Sequence, residues 1–140
     1  MMQLKEMFSR YDFHIVTEGD DSTRWLREAY PGKVDYLLAV TRSHMLIYMI
    51  GGPINILKSI ALYFKLKPEF IITTGVHTAV PICLLGHFLG AKVIYIDSFA
   101  NISSKSLTGK ILYKYTDLFL VQWESMLKLY PKAKYEGWIY

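Results

Sequence analysis

The chain is 140 residues long, 52% apolar and 20% charged, the size of one ordinary domain, and too apolar for a disordered one, which needs low hydrophobicity and high net charge. Sixteen basic against twelve acidic residues leave a net charge of +4, a mild excess that suits an anionic partner, yet the bases are scattered and form no run that would follow a nucleic-acid backbone. Cys83 is the one cysteine, which excludes an intramolecular disulfide and fits a reducing compartment. One folded unit over residues 1–140 is therefore expected, able to bury a core without a disulfide or a structural metal. The amino terminus, Met1-Met2-Gln3-Leu4-Lys5-Glu6, lacks the apolar stretch of a signal peptide, so a cytoplasmic location is expected.

Short apolar runs alternate with helical stretches along the whole chain, at the spacing of βαβ units. Phe13–Thr17 reads as the first strand and closes on Glu18-Gly19-Asp20-Asp21. Ser22 is placed to cap a helix over Thr23–Tyr30, which Pro31-Gly32 stops. Val34–Val40, Phe70–Thr74, Lys92–Ile96 and Leu118–Gln122 read as four further strands, with helices over about 53–66, 77–89, 106–115 and 123–130. Phe70-Ile71-Ile72 and Val93-Ile94-Tyr95-Ile96 are apolar without alternation, as strands are when helices cover both faces. The predicted fold is α/β: a Rossmann-like, doubly wound parallel sheet.

Fourteen of the twenty residues in Met45–Phe64 are apolar, and no charge appears until Lys58. A single membrane crossing there would put the strands on its two sides in different compartments, although they are expected to belong to one sheet. Gly51-Gly52-Pro53 breaks the run, with Pro53 suited to a first helical turn, and Asn55, Lys58, Ser59 and Leu62 mark a face that is only partly polar. Two readings follow: a buried crossover helix, or one that lies on lipid through Met45, Leu46, Ile47, Ile50, Ile54 and Leu57, with Arg42, His44, Lys65 and Lys67 at its ends. Trp138-Ile139-Tyr140 offers a second apolar stretch of the same kind.

Ligands of open α/β sheets bind beyond the carboxyl ends of the strands. The polar segments there are Thr17-Glu18-Gly19, Thr73–Thr78, Asp97-Ser98-Phe99 and Gln122-Trp123-Glu124. Thr74, Gly75, His77 and Thr78 lead into a helix whose first amides could hold a phosphate or a hydroxyl-rich ligand, although Thr74 or Thr78 could equally serve as its cap. His77 is a crevice residue able to exchange a proton near neutral pH. Asp97 follows a strand directly, where a carboxylate can hold ligand hydroxyls, meet a partner's arginine or act as a base, and no second carboxylate lies near it in sequence. Cys83 and His87 share a helical face at metal-ligand spacing, but two ligands do not make a site, so no metal is expected. No Gly-x-Gly-x-x-Gly or phosphate-loop pattern occurs, and no cofactor is expected.

Five segments taken in order carry a resemblance: Ile71–Gly75, Thr78–Pro81, Ile94–Ala100, Ser106–Lys110 and Asp117–Glu124. Together they resemble the acceptor-side, membrane-associated subunit family of two-component (split GT-B) glycosyltransferases, which serve dolichol-linked oligosaccharide synthesis in eukaryotes and capsule or exopolysaccharide synthesis in bacteria. The resemblance runs from about Tyr11 to Tyr140. It implies the amino-terminal half of a GT-B fold, peripheral on the cytoplasmic face of the membrane. A second subunit would carry the UDP-sugar site, this chain would recruit it and help form the cleft for a lipid-linked acceptor, and transfer would invert the anomeric carbon.

The resemblance further implies that Thr74, Gly75, His77 and Thr78 line that cleft, with Asp97, Ser98 and Phe99 beside them and Gln122 and Trp123 on the far wall. Asp97 stands where the family usually has glutamate. The family's usual first strand, with its glycine-rich, histidine-bearing loop, has no counterpart, so a late-started chain and a sheet one strand short are expected, and no catalytic residue is assigned. The competing readings are a self-sufficient nucleotide-binding Rossmann-type enzyme and a purely structural recruiter.

Overall fold

The structure is a computed structural model that describes residues 5–39 and 45–137, with the side chains of Lys5 and of residues 45–49 outside that description. The expected lipid contacts Met45, Leu46 and Ile47, the flanking Arg42 and His44, and the terminal Trp138–Tyr140 therefore lie outside the described residues or side chains. The elements run α1 (Lys5–Phe8), β1 (Ile15–Glu18), α2 (Trp25–Ala29), β2 (Val34–Leu37), α3 (Met45–Leu66), β3 (Phe70–Thr73), α4 (Val80–Leu89), β4 (Lys92–Ile96), α5 (Leu107–Leu112) and β5 (Leu118–Leu120). Turns of 3-10 helix occupy His77–Ala79 and Glu124–Lys128, the second of them where an α-helix over 123–130 was expected.

All strand pairs are parallel, but they form two sheets rather than the one expected: β1-β2 and β3-β4-β5. Ile15 pairs with Val34, Phe70 with Lys92, and Ile94 with Leu118, each opening an unbroken register. Among the described residues β1 pairs only with β2, and β3 only with β4. Among the described residues β1 and β3 do not pair directly.

Alternation along β1 sends neighbouring residues into different cores. Ile15 joins Leu26 of α2 and Val34 in a small cluster, while Val16 packs against the main core on the opposite face. The main core gathers Leu37, Leu62 and Tyr63 with Cys83, Val93, Tyr95, Leu112, Val121, Met126 and Tyr130. Val93, Tyr95, Leu112 and Val121 are fully buried, each contributing about 1.5–3 kcal/mol of apolar transfer. β4 is enclosed as its unbroken apolar run predicts; β3 is less so, because it ends its sheet and leaves Phe70 62% exposed.

Helix α3 departs most from expectation. It starts at Met45 and runs through Gly51-Gly52-Pro53 without a break. A proline inside a helix removes one hydrogen bond and crowds the preceding turn, at a cost of about 3 kcal/mol, which the packing of the remaining length offsets. The helix also faces the other way round from a simple amphipathic reading: Gly51, Asn55, Ser59, Leu62 and Tyr63 are buried. Ile50, Ile54, Leu57, Ala61 and Phe64 are exposed. Asn55 explains the inversion, since its Nδ2 donates to the Leu38 carbonyl at 2.9 Å and its Oδ1 accepts from the Leu38 amide at 2.8 Å. This pair of bonds satisfies the backbone just beyond β2, which no strand covers. Lys65 adds an ion pair to Asp35 of β2 at 3.1 Å.

Ser22 does not cap α2. Its hydroxyl donates to the Asp20 carboxylate at 2.7 Å, and the helix begins at Trp25 with no side-chain cap. Thr23 instead closes the loop by donating to the Glu18 carbonyl at 2.7 Å.

Asn55→Ala is expected to cost about 2 kcal/mol by leaving both Leu38 groups unpaired. Ser59→Ala, four residues on, removes a buried hydroxyl with no hydrogen-bond partner among the described residues and is expected to be neutral or slightly stabilising. Urea unfolding followed by circular dichroism checks both.

Candidate functional site

The polar residues at the carboxyl ends of β3, β4 and β5 are organised around the Tyr95 phenol, which sequence reasoning had treated only as part of a strand. Tyr95 Oη donates to Asp97 Oδ1 at 3.2 Å and lies 3.2 Å from Ser106 Oγ. Asp97 Oδ1 also accepts from the Ser98 amide at 3.0 Å and from Asn101 Nδ2 at 2.9 Å. Ser106 caps α5 by accepting from the Gly109 amide at 2.9 Å. One phenol therefore ties the end of β4 to the start of α5, and Asp97 holds the loop between them.

Gly75 joins the same assembly through close approach. Its φ is +89°, and a Cβ built there would lie 2.9 Å from Tyr95 Oη, so both conformation and space call for glycine. Burial holds the Tyr95 phenol well above its ordinary range, with the Asp97 carboxylate reinforcing the effect. Tyr130 is pushed up to about 12, chiefly by burial. Both phenols are therefore neutral at physiological pH.

On the far side Trp123 Nε1 donates to the Phe99 carbonyl at 2.8 Å, and the two rings lie 4.8 Å apart. Phe99 is 38% exposed, so this pair presents an aromatic wall at the surface. His77 is exposed beside the opening of α4, and Thr74, Gly75 and Ser98 are half-buried. Asp97 and Gln122 are only 1% exposed. Both are therefore wall residues behind the exposed Phe99 and His77 rather than surface groups.

Thr78, 7% exposed, does not cap the turn at His77–Ala79 with its side chain. It donates instead to Glu18 Oε1 at 2.9 Å, across from one sheet to the other. Glu18 lay among the crevice loops in the sequence but received no role there, because its neighbour is sixty residues away. Cys83 is fully buried and burial pushes its thiol up to about 12, which makes it a core residue, while the His87 ring sits 5.6 Å from that of Tyr115. Among the described residues no three His, Cys, Asp or Glu side chains are grouped to hold a metal. Likewise no described helix is long and apolar enough to cross a membrane.

The family described as "Oligosaccharide biosynthesis protein Alg14 like" matches residues 39–139. The chain belongs to that family. The matched span contains every residue from Thr74 to Trp123 that the sequence places at the expected cleft, together with the Tyr95 assembly. A Schizosaccharomyces pombe protein named UDP-N-acetylglucosamine transferase subunit alg14 is 47% identical over 75 residues, 50% of this chain and 36% of the relative. Proteins named UDP-N-acetylglucosamine transferase subunit ALG14 from Yarrowia lipolytica and Homo sapiens are 33% identical over 129 residues and 38% over 85. Those alignments cover 88% and 56% of this chain, and 53% and 39% of the relatives. The chain thus spans about half the length, or less, of the relatives it matches.

Gly75→Ala is expected to destabilise the fold by about 1–3 kcal/mol through its positive φ and the contact with Tyr95. In the double variant with Tyr95→Phe the steric share should disappear, so the two costs should sum to more than the pair measured together. Tyr130 gives a pH test. Its phenol titrates at about 12 in the folded chain against an ordinary 10, so above pH 10 the unfolded chain binds fewer protons and stability should fall as pH rises toward 12. Tyr130→Phe should flatten that decline in unfolding measured across the alkaline range.

Proposed function

We propose that this chain is the acceptor-side subunit of a two-component glycosyltransferase that moves N-acetylglucosamine from its UDP ester to a lipid-linked saccharide. The observation that carries the reading is the family match over residues 39–139, joined to relatives named as UDP-N-acetylglucosamine transferase subunits. A second polypeptide carries the UDP-sugar site. Two features of this chain support that division: it lacks a glycine-rich nucleotide fingerprint, and its polar cleft carries an aromatic wall at Phe99 and Trp123.

The chain docks on the cytoplasmic face of the membrane through α3. Ile50, Leu57 and Phe64 are 64%, 68% and 58% exposed along one stripe, with Ile54 between them at 38%. Such a continuous apolar strip on a soluble surface calls for a cover. Lys58 and Lys65 reach away from the strip toward Tyr36 and Asp35 of β2, leaving apolar side chains to enter lipid while the ammonium groups stay at headgroup level.

Co-expression with the UDP-sugar-binding subunit, followed by transfer assays with UDP-N-acetylglucosamine and a lipid-linked acceptor, tests the activity. Transfer is expected from the pair and from neither chain alone. Ile54→Glu with Leu57→Glu is expected to reduce flotation with anionic phospholipid vesicles at least tenfold while the partner still co-purifies; unchanged flotation would refute docking through α3.

A further inference from the structure

We propose that Glu18 is the carboxylate that removes the acceptor's proton during transfer, with Thr78 as the residue that positions it. The assignment rests on the functional reading above. In that reaction an acceptor hydroxyl oxygen forms a bond to the anomeric carbon of the sugar. The bond from that carbon to the UDP oxygen breaks, the electron pair leaves with UDP, and the hydroxyl proton must pass to a base. A positioned side chain in that role contributes roughly 10²–10⁴ in rate.

The carboxylates at the carboxyl ends of the strands differ sharply in what they offer. Asp97 is 1% exposed and one of its oxygens already accepts three hydrogen bonds, so it is committed to the loop. Asp20 is exposed and accepts the Ser22 hydroxyl, and Glu124 is exposed at the start of a 3-10 turn with no hydrogen-bond partner that would orient it among the described residues. Glu18 alone of the four is half-buried and aimed. Its Oε1 accepts from Thr78 at 2.9 Å, and its Oε2 has no partner among the described residues.

The backbone beneath Glu18 is fixed on both sides. Its carbonyl accepts the Thr23 hydroxyl at 2.7 Å, and the next amide, of Gly19, donates to the Leu37 carbonyl at 2.9 Å. Thr78 is itself buried at the opening of α4. One oxygen held by a buried hydroxyl and the other left open is the geometry of a base fixed by an orienting partner. Its partner Thr78 directly follows the exposed His77 in the chain, at the carboxyl end of β3.

The test uses the co-purified two-subunit complex with UDP-N-acetylglucosamine and the lipid-linked acceptor. Glutamine keeps an oxygen for Thr78 and the same shape, so Glu18→Gln is expected to assemble normally, lower kcat about 10²–10³-fold and leave the acceptor KM within threefold. Thr78→Val is expected to lower kcat about tenfold, and Thr78→Ser to restore it within twofold. A Glu18→Gln complex with kcat within threefold of an active wild type would overturn the assignment. So would failure of that complex to assemble, which would make Glu18 a structural contact, or a loss of kcat in His77→Gln that Glu18→Gln does not share. A wild-type pair that transfers no sugar would instead refute the functional reading on which the assignment stands.

Discussion

The carboxyl end of the larger sheet depends on a phenol where an ordinary strand residue would suffice. Tyr95 carries its ring into the core, stacked 4.4 Å from Phe119, and brings its hydroxyl out at the level where β4 ends. There it touches three separate segments: the Asp97 loop, the Ser106 cap and the backbone at Gly75. A buried hydroxyl left unpaired costs about 1–3 kcal/mol, so Asp97 and Ser106 are as constrained by Tyr95 as it is by them. The aromatic wall inherits that order, since Phe99 follows Asp97 by two residues and its carbonyl is held by Trp123.

A second constraint acts between the two sheets. With β1 and β3 not paired to each other among the described residues, the smaller sheet is held to the rest by side chains, several of them from α3. Leu62 and Tyr63 share the main core with Leu37, Asn55 satisfies Leu38, and Lys65 meets Asp35. A helix that devotes its inward face to Asn55 and Ser59 must place its aliphatic residues elsewhere, and they stand outward. The exposed strip is thus the other half of the same arrangement.

These two constraints decide what could be read from the sequence. β4 was legible residue for residue, because Lys92–Ile96 is bounded by turn signals and enclosed on both faces. β5 was read too long and β3 one residue long, since strand ends are fixed by pairing, which local pattern does not contain. Gly51-Gly52-Pro53 reads as a break on propensity alone, and only the packing of the whole helix outweighs it. Ser22 has the right type and place for a cap, yet its hydroxyl donates to the nearer Asp20 carboxylate instead. The cleft loops were found by their polarity after each strand. Their internal order was not, because it hangs on Tyr95, which an apolar-run reading assigns simply to the core.

Asp97 and Glu18, each at the carboxyl end of a strand, are set apart by environment rather than by residue type. Asp97 has the shorter side chain, and its reach matches a backbone amide one residue ahead and an amide side chain four ahead. A longer acid would overshoot those partners in a site that is already closed. Glu18 uses its extra methylene to cross from one sheet to the other and meet Thr78. The acid that the family resemblance singled out is therefore occupied in holding a loop. The one that only the fold could bring forward has its Oε1 held by Thr78 and its Oε2 without a partner among the described residues.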